Sequence, residues 1–178
     1  MGLFYIHGKD SSPQGVRARF LAEHFPSIRI PALPNDLDQR LEILDREIQE
    51  PSVVVGNSLG GLTALLWLPR RPALVHFLIL LAPAVGFFDP NYDAVEIRTL
   101  LDSLLLPGEI PCRMLAAIED EIIPIAAVDR LVARSQPLGD LHYCRIHDSH
   151  LLHSPAACAW LRAAVEEGLQ LGSSRSSL

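Results

Sequence analysis

Two apolar patterns alternate along the chain. Apolar runs fall at residues 3–6, 28–30, 53–55, 75–81, 112–117 and 141–146. Most of these runs lack polar alternation, the pattern of parallel strands covered on both faces. Segments with helical spacing lie between them. A helix is predicted over 14–24 after Pro13, and another over 37–49 behind the N-cap pair Asn35-Asp36. A third covers 59–68 and ends at Pro69, with Arg70 and Arg71 near the negative end of its dipole. Further helices are predicted over 93–105, over 124–134 with Pro124 in the first turn, and over 155–169 behind Ser154. Strand–helix alternation of this kind predicts an α/β fold. The expected architecture is a three-layer α/β/α sandwich around a mostly parallel central sheet of about six strands.

Composition narrows the picture. At 178 residues, 49% of them hydrophobic, the chain fits one filled core, expected over 1–171, with the tail "GSSRSSL" (172–178) disordered. The net charge of −6 and the scattered basic residues argue against non-specific nucleic-acid binding. Cys112, Cys144 and Cys158 are too far apart for a CxxC or CxxH zinc knuckle, and a reduced, cytoplasmic setting is the simplest reading. The start "MGLFYIHGKD" lacks the basic and apolar regions of a signal peptide. No apolar run reaches the ~18 residues of a membrane span.

The candidate chemistry begins at "SVVVGNSLGGLTALLWL", where Gly-Asn-Ser-Leu-Gly joins a strand to a helix. Gly-x-Ser-x-Gly in that setting is the geometry of a nucleophile elbow. Gly56 and Gly60 suit a tight turn, and Gly61 suits close packing of the helix. Ser58 would then stand above the carboxyl ends of the strands, at a helix N-terminus. The competing reading makes Ser58 a helix cap in a glycine-rich turn.

A serine hydroxyl needs a base, and the base needs an orienting acid. "CRMLAAIEDEIIP" ends a strand in Glu119, Asp120 and Glu121, and Asp120 is the preferred acid, with Glu119 in reserve. "LHYCRIHDSHLLHSP" supplies His142, His147, His150 and His153. His150 is the preferred base, with His147 and His153 as alternatives. Zinc ligation by His147, Asp148 and His150 is a rival reading of that cluster. An oxyanion site needs two N–H donors. The Leu59 amide follows the nucleophile, and the Lys9 amide comes from the loop after the first strand, where Gly8 permits close approach. His7 reads as a structural loop residue.

Together these residues resemble the α/β-hydrolase superfamily and, more narrowly, the small bacterial esterases of the YqiA type. The resemblance rests on "FYIHGKDSSP", "IPALPNDLD", "GNSLGG", "LLAPAV", "IEDEIIP" and "HDSHLL", and spans about residues 1–168. Glu119 stands where such chains usually have glycine before the acid, and Asp148-Ser149 replaces a glycine-rich approach to the histidine. The resemblance implies a minimal α/β-hydrolase fold and hydrolysis of a small-molecule carboxylic ester or thioester, without metal or organic cofactor. The segment 83–111 is the only place for a lid. Its Phe87, Phe88 and Tyr92 either shape an apolar acyl pocket or simply cover the sheet. A non-catalytic binding or scaffold protein on the same fold is the alternative from another class, and a protease is a weaker third reading.

Overall fold

The computed structural model describes residues 1–86, 95–135 and 139–175. Among these, five strands form the sheet: β1 (Gly2–Ile6), β2 (Ser52–Asn57), β3 (Val75–Leu81), β4 (Cys112–Ala117) and β5 (Leu141–Ile146). All pairs are parallel, in the order β1-β2-β3-β4-β5. Among the described residues six α-helices accompany them: α1 (Val16–His24), α2 (Leu37–Glu47), α3 (Leu59–Trp67), α4 (Val95–Ser103), α5 (Ile125–Arg134) and α6 (Pro155–Arg175). Asp36 caps α2 by accepting the Gln39 amide at 2.9 Å, as the Asn35-Asp36 signal predicts. Ser154 caps α6 through the Ala157 amide at 3.2 Å.

The strand periodicity of two divides the interior. Phe4, Val54, Leu78 and Met114 point to one face, where they meet α2, α3 and α5. Tyr5, Val55, Ile79 and Leu115 point to the other, against α1 and α6. Because strand order advances steadily from β2 to β5, right-handed crossovers keep the intervening helices on one side. Every strand therefore ends at the same edge of the sheet, and the loops that leave those ends meet there.

Two expectations change. Residues 28–30 do not form a sixth strand; they make one isolated bridge, Phe4 to Arg29. Arg29 donates to the Leu3 carbonyl and accepts from the Tyr5 amide. In a parallel ladder the next donor would be residue 31, which is Pro31 and has no N–H. At the other terminus α6 runs to Arg175, through the first four residues of the segment read as a disordered tail. Gly172 is buried against Met1, so a tertiary contact carries the helix on. Residues 176–178 lie outside the described residues, as do Phe87, Phe88 and Tyr92.

Candidate active site

Ser58 leaves β2 and precedes α3 with φ 52° and ψ −118°. That is left-handed backbone for a residue with a side chain, at a cost of about 1–3 kcal/mol unless its surroundings hold it. Here they do. The Ser58 amide donates to the Leu81 carbonyl at 2.9 Å. Its own carbonyl accepts from the Gly61, Leu62 and Ala84 amides at 2.9, 3.1 and 3.1 Å. The turn leaves no room for side chains beside it. A Cβ on Gly60 would collide with the Ile6 carbonyl, and one on Gly56 would lie 2.8 Å from the Gly60 oxygen.

The Ser58 hydroxyl makes no capping bond to α3. It donates instead to His150 Nε2 at 3.0 Å. His150 Nδ1–H in turn donates to the Asp120 carboxylate, 2.9 and 3.0 Å from its two oxygens. The His150 and Asp120 side chains are 9% and 2% exposed. Burial alone would push the Asp120 carboxyl up. Bonds from His150 and from the Ile123 and Ile122 amides outweigh it and hold the carboxyl below its ordinary value.

The other sequence candidates lie elsewhere. His147 Nδ1 meets Glu119 Oε1 at 2.7 Å on the surface, with side chains 80% and 59% exposed. His153 sits beside Arg17 and Asp148. Asp148 accepts the Ser149 and Ser154 amides at 2.8 and 3.0 Å, and so folds the loop that carries His150. Among the described residues no three of His, Cys, Asp and Glu converge as a metal site. Glu121 accepts the His150 amide at 3.2 Å. Arg17, buried on α1, donates to the Leu151 carbonyl and, at 2.7 Å, to that of Leu152. The sequence reading missed Arg17; it is the basic residue of α1 that shares the buried face with Ala18 and Leu21.

The loop after β1 lies directly on the serine. A Cβ on Gly8 would sit 3.3 Å from Ser58 Cβ. His7 is buried and fully engaged, with Nε2 accepting the Leu33 amide at 3.2 Å and Nδ1–H donating to the Gly8 carbonyl at 2.9 Å. Burial holds its pKa below the ordinary 6.5, with the neighbouring Arg40 charge acting in the same direction and the Gly8 bond against them. Leu59 opens α3, so its N–H has no acceptor within the helix.

A cavity of about 230 Å³ opens onto Ser58. Leu37, Leu59, Leu62, Ala84 and Leu101 form its apolar wall, and Lys9, Asn35, Asp36 and Asp38 its polar rim. Leu37 comes from α2, Leu59 and Leu62 from α3 and Leu101 from α4, while Phe87 and Phe88, the sequence candidates for an acyl pocket, lie outside the described residues. Among the described residues no helix is long and apolar enough to cross a membrane.

Comparison with known proteins adds a family and a fold. The uncharacterised protein family UPF0227 matches residues 2–99. A protein named Lipase LipV from Mycobacterium tuberculosis is 33% identical over 101 residues, which make up 48% of this chain and 37% of that protein. The chain therefore spans little more than a third of that relative. Among solved structures, mouse alpha/beta hydrolase domain-containing protein 10 superposes with a TM-score of 0.76 at 19% identity, covering 95% of this chain and 89% of that one. A monoacylglycerol lipase from Paleococcus ferrophilus gives 0.74 at 15% identity, covering 94% and 93%. These likenesses establish an α/β-hydrolase fold, and the two departures in strand count and tail length leave it intact.

Proposed function

This chain belongs to the uncharacterised protein family UPF0227, and we propose that it is a serine hydrolase that cleaves small carboxylic esters or thioesters through an acyl-enzyme. One observation carries the reading: Ser58, in a backbone conformation it would not adopt unaided, gives its hydroxyl to an imidazole that a buried carboxylate holds. A helix cap would have spent that hydroxyl on α3.

Ser58 Oγ attacks the acyl carbon while its proton passes to His150 Nε2. Asp120 holds the ring with its other proton on Nδ1 and stabilises the imidazolium that forms. The Leu59 and Lys9 amides receive the developing oxyanion. Collapse expels the alcohol or thiol, which takes the proton from His150. Water then attacks the acyl-enzyme, gives its proton to His150, and the second collapse returns that proton to Ser58 Oγ. The apolar wall of Leu37, Leu59, Leu62 and Leu101 suits an apolar acyl or alcohol group. A carboxylic ester is favoured further by the name of the Mycobacterium tuberculosis relative, a lipase.

The test is labelling with a fluorophosphonate probe, read by intact mass, beside a folded Ser58→Ala control. Wild type is expected to gain one adduct and the control none. A panel of nitrophenyl esters and acyl thioesters then identifies the leaving group. A folded wild type that takes no adduct would return the chain to the scaffold reading.

A further inference from the structure

Arg40 is wholly buried on α2. No ion pair joins it to a carboxylate among the described residues. Its guanidinium is spent on three neutral acceptors drawn from three separate elements. Nη2–H donates to the His7 carbonyl, in the loop after β1. Nη1–H donates to the Pro34 carbonyl at 2.8 Å. Nε–H donates to Thr63 Oγ1 at 2.8 Å, on the helix that follows Ser58. Burial pushes the guanidinium pKa down to about 10, so the group still carries its charge at neutral pH. Burying a charge without a counter-charge is costly, and it persists only where hydrogen bonds compensate it.

The acceptors are informative because of what lies one peptide further on. Thr63 Oγ1–H donates to the Leu59 carbonyl at 2.7 Å, which anchors the residue whose N–H is one oxyanion donor. On the other side Arg40 grips the carbonyl of His7, and the His7 ring grips the carbonyl of Gly8. In a trans peptide the C=O and the following N–H point in opposite directions. With the Gly8 carbonyl drawn to the His7 ring, the Lys9 N–H is turned the other way, and Lys9 lines the Ser58 cavity. The Leu33 amide on Nε2 leaves the ring's proton on Nδ1, the tautomer this bond requires.

We propose that Arg40 is the positioning residue of the oxyanion site, setting the Lys9 and Leu59 amides at a fixed separation through His7 on one side and Thr63 on the other. The proposal rests on the serine-hydrolase reading and adds to it a buried residue that touches no substrate. Its signature is kinetic. A loosened donor pair weakens binding of the tetrahedral state while leaving the ground-state ester contacts in place.

The experiment uses the full chain with a short nitrophenyl ester, a phenylboronic acid as tetrahedral mimic, and thermal melts as the fold control. Arg40→Met is expected to lower kcat about tenfold to a hundredfold with KM within about threefold. Its boronate affinity should fall in parallel. Thr63→Val is nearly isosteric and cuts only the Leu59 branch, so it keeps the idea testable if Arg40→Met unfolds. It should lose kcat by about fivefold to tenfold, with boronate affinity again following. The double variant should be no slower than Arg40→Met alone, because both act along one chain of bonds. A folded Arg40→Met or Thr63→Val with wild-type kcat and boronate affinity overturns the proposal and leaves Ser58 as nucleophile untouched. A wild type inert towards both ester and boronate overturns the serine-hydrolase reading and this inference with it.

Discussion

Asp120 and Glu119 are neighbours in sequence, yet they have opposite surroundings. Asp120 is almost sealed from solvent and accepts from His150, Ile122 and Ile123. Glu119 meets His147 in the open, where an ion pair contributes little. On the proposed mechanism, Asp120→Asn places an amide against Nδ1 and favours the wrong imidazole tautomer. We expect kcat to fall by about 10³–10⁴ with the fold intact. Glu119→Gln should stay within about threefold of wild type. Steady-state kinetics on one ester substrate separates the two. Similar losses in both variants would remove Asp120 from its role.

At the scale of elements, the site is made of loops that leave parallel strands and are then tied down by buried polar bonds. The elbow is held by glycines, by backbone bonds and, at Leu59, by the Thr63 hydroxyl. The histidine loop is longer and depends on other elements. Asp148 closes it, Glu121 holds the His150 amide, and Arg17 reaches across from α1 to the Leu151 and Leu152 carbonyls. Leu152 itself is left-handed, with φ 49°. Replacing Arg17 by Met strands the buried Leu152 carbonyl. Urea unfolding should show a loss of about 2–3 kcal/mol. The kcat of the folded fraction should fall as His150 loses its fixed position. A variant as stable as wild type would show that the loop holds itself.

For the whole molecule, pH is the informative variable. His7 and His153 both have pKa values held below the ordinary 6.5, first by burial and then by a nearby arginine. Below that value the unfolded chain takes up protons that the native chain refuses. Their contribution to stability is therefore full above pH 6.5 and is lost as pH falls through the lower folded values. Asp120 is lowered too, so its contribution is present above its ordinary 3.8 and lost only as pH falls through its lower folded value. The urea midpoint should thus drop between about pH 7.5 and pH 5. His153→Gln should lessen that drop. An unchanged midpoint across this range would contradict the assignment of histidines that stay neutral in the fold.

Sequence by itself determined the layers of this protein and singled out Ser58 as the proposed nucleophile. Five of the six predicted strands and all six predicted helices exist, because apolar periodicity is a local record of which face is buried. The elbow was legible for the same reason: "GNSLGG" between a buried run and a leucine-rich helix admits few conformations. The choice of Asp120 over Glu119, and of His150 over His147 and His153, was legible only as a preference. Three carboxylates in a row and four histidines in twelve residues look alike until the loops are folded. Arg40 even left a trace, at i+3 from Leu37 on the stripe that Leu41 and Leu44 continue, yet a basic residue there reads as an exception to the pattern. What it serves depends on three acceptors far away in the chain, the His7 and Pro34 carbonyls and the Thr63 hydroxyl. Only tertiary structure brings such acceptors together, because hydrogen bonds to backbone carbonyls leave no side-chain signature in the residues that accept them.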